Sequence, residues 1–157
     1  MIDSETFRSV LGRFATGITI VTSRDAKGRD YGMTVSAFSS LSLSPPLVLW
    51  CVDHSASMHP LLLEHPAVGI NVLSSDQEAY SRRFADTTAK GFDGIAYTRG
   101  EDGVVLLDAA LAHLECRVVQ HHDVGDHTVV IAEVDRAQPM EGRPLLYYRG
   151  GYARLER

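Results

Sequence analysis

Two long predicted strands, 110–122 and 127–137, flank one tight turn in the second half of this chain. The turn, Asp123-Val-Gly-Asp126, contains residue types that favour a sharp reversal of the backbone. Strands joined so closely pair antiparallel, because parallel strands need a long crossover connection. The hairpin therefore excludes a fold built only from alternating parallel strands and helices.

Shorter segments surround the hairpin. Apolar residues at Phe7, Val10, Leu11 and Phe14 have the spacing of an amphipathic helix, which we expect over 4–15 with Gly17 after its end. Two further short helices are expected, one over 58–64 capped by Ser57 and one from the capping box 75–78 to about 84. Other strands are expected at 18–23, 31–38, 47–52, 67–73 and 95–99, with a last extended pair at 145–149 and 152–155.

Six or seven strands with only short helices between them predict a mainly β fold in a single domain, 1–157. A small closed or split antiparallel β-barrel would protect the edges of such a sheet. A twisted open sheet is the alternative.

Charge and composition exclude several classes of function. The net charge is −5 and basic residues cluster only in pairs such as Arg82–Arg83, so we expect no nucleic-acid partner. The longest apolar run, 45–52, is far shorter than the roughly 20 residues that span a membrane. The first residues do not resemble a signal peptide, so we expect a cytoplasmic protein in which Cys51 and Cys116 are buried thiols, although a disulfide between them remains an alternative.

The segment 31–53 is the most informative about function. Five serines and one threonine lie within eleven positions, 34–44, directly before the apolar strand 47–52. Small residues allow close approach of a ligand, and hydroxyl groups offer hydrogen bonds without charge. The segment therefore indicates a surface for a flat molecule with polar edges and a phosphate tail, or alternatively a serine-rich loop.

Several catalytic motifs are missing from the sequence. It contains no glycine-rich nucleotide motif, no HExxH zinc motif and no GxSxG nucleophile motif. The spacing of His54, His59 and His65 matches no common zinc site, so we expect no metal.

A few polar and aromatic residues are candidates for ligand contact. His127 follows Gly125-Asp126 at the start of a strand, where it could meet a ligand or be an ordinary turn histidine. Tyr152, beside Gly150–Gly151, could stack on a planar ring or belong to the core. The basic residues that could hold a phosphate, or simply face solvent, are Arg82, Arg83 and Lys90.

Six strings, in this order, resemble the flavin reductase family with the FMN-binding split-barrel fold. They are FRSVLGRFATGITIVTS, GMTVSAFSSLSLSPPLVLWCVD, INVLSSDQEAYSRRFA, KGFDGI, VGDHTVVIAEV and PLLYYRGGY. The resemblance covers nearly the whole chain. It implies an antiparallel split β-barrel with short flanking helices.

The resemblance also implies site residues. Those that it places at the flavin are Met33, Thr34, Val35, Ser36, Ala37, Ser39, Ser40, Cys51, Val52, Asp53, Ser55, Ser57, Phe84 and Lys90. It places His127 at the nicotinamide nucleotide, as the candidate catalytic residue, and Tyr152 near the same pocket.

The implied activity is an NAD(P)H:flavin oxidoreductase. Such an enzyme takes hydride from NADH or NADPH, passes it to FMN or FAD, and supplies reduced flavin to a separate monooxygenase. The family resemblance and the need to cover an apolar barrel face lead us to expect a homodimer. Two alternatives are a flavoprotein with tightly bound flavin that reduces another acceptor, and a flavin-binding protein without turnover.

Overall fold

A computed structural model describes residues 1–86 and 91–156 of the chain. These residues form a mainly β structure with short helices. The helices are α1 Ser4–Leu11, α2 His59–Glu64 and α3 Glu78–Ala85, with a 3-10 turn at Ser75–Gln77. The strands are β1 Thr16–Gly17, β2 Thr19–Arg24, β3 Asp30–Val35, β4 Phe38–Leu43, β5 Pro46–Asp53, β6 Ala67–Val72, β7 Tyr97–Arg99, β8 Val105–Leu107, β9 Ala112–Val124, β10 His127–Pro139, β11 Leu145–Tyr148 and β12 Gly151–Arg154.

The predicted long hairpin is confirmed and lies near the centre of the main sheet. β9 and β10 pair antiparallel from His127↔Val124 to Pro139↔Ala112, with two register shifts. Only Gly125 and Asp126 lie between the strands, and Gly125 has a positive φ of 62°. A glycine at the first position of a two-residue turn matches the twist of the paired strands.

The main sheet has seven antiparallel strands in the order β3-β2-β6-β9-β10-β5-β4. The predicted mainly β, antiparallel fold is therefore confirmed. Among the described residues, β3 and β4 end the order and are not paired with each other. Hydrogen bonds between these two end strands therefore do not close the described sheet, although the residues Ser36 and Ala37 join the two strands directly in sequence.

One face of this sheet forms the larger apolar core. Trp50 on β5 is fully buried there, and Val130 lies opposite it on β10. Side chains of six of the seven strands, together with Met58 and Leu62 from the segment around α2, complete the cluster. Alternation along each strand explains the pattern, because every second side chain points to the same face.

Two smaller sheets cover the rest of the molecule. β1, β11 and β12 form one sheet, which confirms the predicted C-terminal extended pair. Arg149 and Gly150 form its turn with φ values of 53° and 77°. β7 and β8 form the other sheet; β7 is shorter than the predicted strand 95–99, and β8 was not predicted.

The serine-rich segment differs from its prediction. The strand expected at 31–38 ends at Val35, and after the link 36–37 a second strand, β4, runs through the serines. β4 is an edge strand that pairs only with β5 among the described residues. Alternating small polar residues are compatible with an exposed edge, where one side of the strand has no partner strand.

The helix boundaries also differ. α1 ends at Leu11, well before Gly17, because Gly12 closes its last turn, and Asp3 caps its start by accepting from the Thr6 N–H. The residue that precedes α2 is Met58, and its side chain makes no capping hydrogen bond. The predicted cap by Ser57 is therefore wrong. The predicted capping box at 75–78 lies one residue earlier, at 74–77. There the Gln77 side chain accepts a hydrogen bond from the Ser74 N–H, and the helical segment begins at Ser75.

Other expectations from composition can be compared with the structure. Cys51 and Cys116 are both free thiols, as predicted, and burial raises the pKa of Cys116 to about 12. Cys116 is buried, whereas Cys51 is half-buried. No helix within the described ranges is long and apolar enough to cross a membrane.

Asn71 joins three strands in the interior. Its side-chain amide donates to the Ile20 carbonyl at 3.0 Å and its oxygen accepts from the Leu107 N–H at 2.8 Å. The residue is fully buried on β6. A polar side chain at this position therefore anchors β8 to the main sheet.

We expect Asn71→Leu to lower the free energy of unfolding by about 2–4 kcal/mol, because it leaves two buried backbone groups without their side-chain partner. Urea denaturation followed by circular dichroism would measure the change. Thr98→Val, on the exposed surface of β7, is the matched control. A loss no larger than that of the control would contradict the role of Asn71.

Candidate functional site

A groove of three adjoining cavities runs along the C-terminal end of α3. Their volumes are about 700, 330 and 190 Å³, and Ala85 lines all three. The largest lies within the range of roughly 300–1,000 Å³ that is typical of small-molecule sites.

The largest cavity has mixed walls. Met33, Met58 and Phe84 give it apolar surface, while Thr34 and Ser57 add hydroxyl groups. Arg29 lines the same cavity, and so do the acidic residues Asp30 and Asp86. The walls come from β3, the loop after β5, and the end of α3. Such walls suit a planar ring with polar edges that carries an anionic tail.

Hydrogen bonds hold the groove together at the middle of α3. The Thr34 hydroxyl donates to the Ser81 carbonyl at 2.7 Å, which ties β3 to the helix. The Ser81 and Tyr152 hydroxyls lie 2.8 Å apart, which ties β12 to the same turn. The Arg82 guanidinium lies over the Tyr152 ring at 4.7 Å, and this contact orients the ring.

Gly32 is required for the packing beside the largest cavity. A Cβ atom at this position would lie 2.9 Å from the Phe84 ring and 3.1 Å from the Phe92 ring. The two rings pack with centroids 4.8 Å apart. Only a residue without a side chain lets β3 approach these rings so closely.

The structure brings together some of the predicted site residues. Those that line the groove are Met33, Thr34, Ser36, Ser57, Phe84 and Tyr152. Tyr152 lines the two smaller cavities, where Tyr147 stands beside it with ring centroids 5.5 Å apart.

Other predicted residues lie outside the three cavities. The side chains of Val35 and Val52 are buried in the core, so only their backbone groups could meet a ligand. Ala37 follows β3 in the exposed link to β4. Ser39 and Ser40 are exposed on β4, and Cys51 is half-buried on β5.

Asp53 and Ser55 lie at the end of β5 and in the loop after it. The Asp53 carboxylate accepts from the backbone N–H and the hydroxyl of Ser55, both at 2.8 Å. These bonds lower the pKa of Asp53, with the N–H bond as the largest cause. The same loop continues to Ser57 and Met58 in the cavity wall, so it connects this end of the sheet to the groove.

His127 lies opposite Asp53 in the pairing of β10 with β5. Its Nδ1 lies 2.7 Å from an Asp126 carboxylate oxygen, and this bond lowers the pKa of Asp126. The other ring nitrogen, Nε2, then remains for a ligand. His127 lines none of the three cavities, whereas Tyr152 lines two of them.

The basic residues are distributed differently from the prediction. Arg82 lines the second cavity, and the guanidinium carbon of Arg83 lies 6.0 Å from the centroid of the Phe84 ring. Lys90 lies outside the described residues. Arg29 in the largest cavity was missed by the sequence analysis, because it follows an ordinary turn.

Met58 and Tyr147 were missed as well. Met58 immediately follows the predicted Ser57, and it is buried at the cavity wall. The pairing of β11 with β12 sets Tyr147 opposite Tyr152. That register was the signal from which Tyr147 could have been found.

Comparison with protein families gives a match over most of the chain. The model of the family described as "Flavin reductase like domain" matches residues 11–156.

Individual relatives agree with this match. The chain is 42% identical to the FMN reductase (NADH) SmoA of Agrobacterium fabrum over 155 residues, covering 99% of this chain and 88% of the relative. It is 38% identical to the flavin-dependent monooxygenase reductase subunit HsaB of Rhodococcus jostii, covering 99% of this chain and 80% of that protein.

A solved structure shows the same arrangement of the chain. The NADH:FAD oxidoreductase SgcE6 of Streptomyces globisporus, in complex with NAD and FAD fragments, superposes with a TM-score of 0.92. It is 38% identical in sequence, and the match covers 99% of this chain and 96% of that chain.

Proposed function

The chain belongs to the flavin reductase like domain family, and we propose that the groove along α3 is where it binds the flavin. The protein is an oxidoreductase that transfers hydride from a nicotinamide nucleotide, NADH or NADPH, to FMN or FAD. The observation that carries the site assignment is the cavity between β3, the loop after β5 and the end of α3. It combines apolar residues with the hydroxyl-bearing residues Thr34 and Ser57 and the basic residue Arg29.

The residues of this cavity fit a flavin. Met33, Met58 and Phe84 offer surfaces for a planar tricyclic ring. Thr34 and Ser57 can hydrogen-bond polar ring edges or a ribityl chain, and Arg29 can hold a phosphate by charge-assisted bonds. The flavin, when bound, supplies the redox chemistry, while the protein orients the reactants and excludes water.

The chain's own residues have positioning roles. The bonds from Thr34 and Tyr152 to Ser81 fix both sides of the groove before a ligand binds. A rigid groove lowers the cost of aligning two rings for transfer. No nucleophile or general acid is required of the protein, which agrees with the lack of a nucleophile motif in the sequence.

His127 is proposed to position the nicotinamide nucleotide. In the tautomer whose Nδ1–H donates to the Asp126 carboxylate, Nε2 is a hydrogen-bond acceptor. An amide N–H₂ group, such as that of a nicotinamide, is a suitable donor. Backbone groups of 34–37 and the Ser39 and Ser40 hydroxyls remain proposed flavin contacts from the family resemblance.

Reduced flavin is supplied to a separate monooxygenase component. The relative HsaB is named as the reductase subunit of such a system. An open groove at the surface agrees with release of the product. The two free thiols support our proposal that the protein works in the cytoplasm.

We propose that the seven-stranded sheet is the split barrel of this family. Side chains from β2, β3, β5, β6, β9 and β10 converge on one core, as they do when a sheet curls around its interior.

A homodimer is proposed from the exposed apolar surface of one chain. No residue of α1 is buried, and its apolar face, Phe7, Val10 and Leu11, is more than half exposed together with the following Phe14. Leu41 and Leu43 on the edge strand β4 are exposed as well. A second copy of the chain would cover such surface.

Turnover with excess flavin tests the activity. Purified protein mixed with NADH and a large excess of FMN or FAD should consume NADH rapidly, measured by the loss of its absorbance. We expect Gly32→Val to lose most of this rate, because the new side chain meets the Phe84 and Phe92 rings.

The control for this experiment is Gly17→Val, since a Cβ atom there meets nothing within 4 Å. Turnover limited to flavin that stays bound would favour a tightly bound prosthetic group instead. Flavin binding without any turnover would favour the binding protein without catalysis.

Substitution of His127 tests its positioning role. We expect His127→Ala to raise the KM for NADH and to lower kcat/KM up to about tenfold, the value of one hydrogen bond. His127→Gln should retain more activity, because its amide oxygen can reach the position of Nε2 and accept the same bond. The flavin Kd should change little in both variants. NADH kinetics equal to those of the unsubstituted protein in His127→Ala would contradict this role.

Light scattering tests the homodimer. The mass in solution should be twice that of one chain, and Val10→Glu should shift it toward the monomer by placing a charge in the apolar face of α1. Glu5→Gln, on the opposite face of the same helix, should leave the mass unchanged. A monomeric mass for the unsubstituted protein at micromolar concentration would refute the proposal.

A further inference from the structure

Three potential metal ligands meet beside the tip of the long hairpin. His54 lies in the loop after β5, His59 begins α2, and Asp123 is near the end of β9. One ligand atom from each residue lies within 4.8 Å of the other two. His54 Nε2 and an Asp123 carboxylate oxygen are 3.5 Å apart. Ligand atoms on a tetrahedral zinc ion lie about 3.3 Å apart, so small side-chain rotations would complete the geometry.

A hydrogen bond holds the Asp123 carboxylate in position before any cation binds. It accepts a hydrogen bond from the Thr128 hydroxyl at 2.6 Å, which fixes the orientation of the carboxylate. Thr128 also lies 2.7 Å from His59 Nε2. A buried threonine thus holds two of the three ligands in position, as outer groups commonly do around metal ligands.

The electrostatic surroundings favour a positive ion as well. Asp53 ends β5 and Asp126 directly precedes β10, so two further carboxyl groups lie at the same end of these strands. His54 and Asp123 are exposed, so an ion has access from solvent and can keep water as a further ligand.

We propose that His54, His59 and Asp123 form a binding site for a divalent transition-metal ion, of which zinc is the natural probe. Two imidazoles and one carboxylate are a ligand set that suits zinc and its neighbours better than magnesium or calcium. The spacing of the histidines alone led to the expectation of no metal, because the third ligand comes from β9, far along the chain.

An ion at this site would link two separate parts of the fold. It would fasten the loop after β5 to the hairpin tip. The same loop provides Ser57 and Met58 to the wall of the largest cavity. Metal binding would therefore stiffen one wall of the groove from outside, without entering it.

Calorimetric titration of the whole protein tests the site. After treatment with EDTA and dialysis, addition of zinc chloride should give one saturable event per chain, and zinc should raise the thermal unfolding midpoint. His54→Ala, Asp123→Ala and His59→Ala should each weaken zinc binding at least about tenfold. Because His54 is exposed in a loop, His54→Ala remains informative if His59→Ala fails to fold.

Two controls separate this site from general binding to histidine. His65→Ala, just after α2, and His122→Ala, next to Asp123, should bind zinc like the unsubstituted protein. Failure to bind zinc, or unchanged affinity in His54→Ala, would overturn the proposal and leave the cluster as a hydrogen-bonded structural link. These readouts do not depend on flavin reduction, so the proposed function can fail while this inference stands.

Discussion

The hydrogen-bonded pairing of β10 with both β9 and β5 is the constraint on which the rest of the structure depends. β10 fixes the register of the strands on either side, and the core side chains of those strands then face one interior. The same pairing sets His127 opposite Asp53. The loop after β5 and the hairpin tip are thereby positioned by backbone hydrogen bonds rather than by their own packing.

The groove depends on a different and smaller set of contacts. Ser81 is fully buried and joins β3 and β12 through two side-chain hydroxyls. α3 therefore connects the main sheet to the sheet of β1, β11 and β12, and the cavities lie beside the last turn of this helix. Binding surfaces built on such fixed elements hold their geometry better than surfaces built on loops alone.

The fold and the groove of this protein were only partly predictable from the sequence. The hairpin and the antiparallel, mainly β fold followed from strand composition and the turn around Gly125. β4 was not predicted as a strand, because serines have weak strand preference and the pairing with β5 decides the outcome. Of the residues that line the groove, Thr34, Ser57 and Phe84 were named by the family resemblance. Arg29 was missed, since only the folded chain brings it beside those residues. The cluster of His54, His59 and Asp123 was missed for the same reason.

Trp50 gives this protein a built-in optical reporter. It is the only tryptophan of the chain, and it is fully buried at the centre of the larger core. Its emission therefore reports the hydration of a single interior point, with no second indole to average against. A change that loosens α1 should leave the emission wavelength almost unchanged, whereas one that admits water between β5 and β10 should shift it to the red.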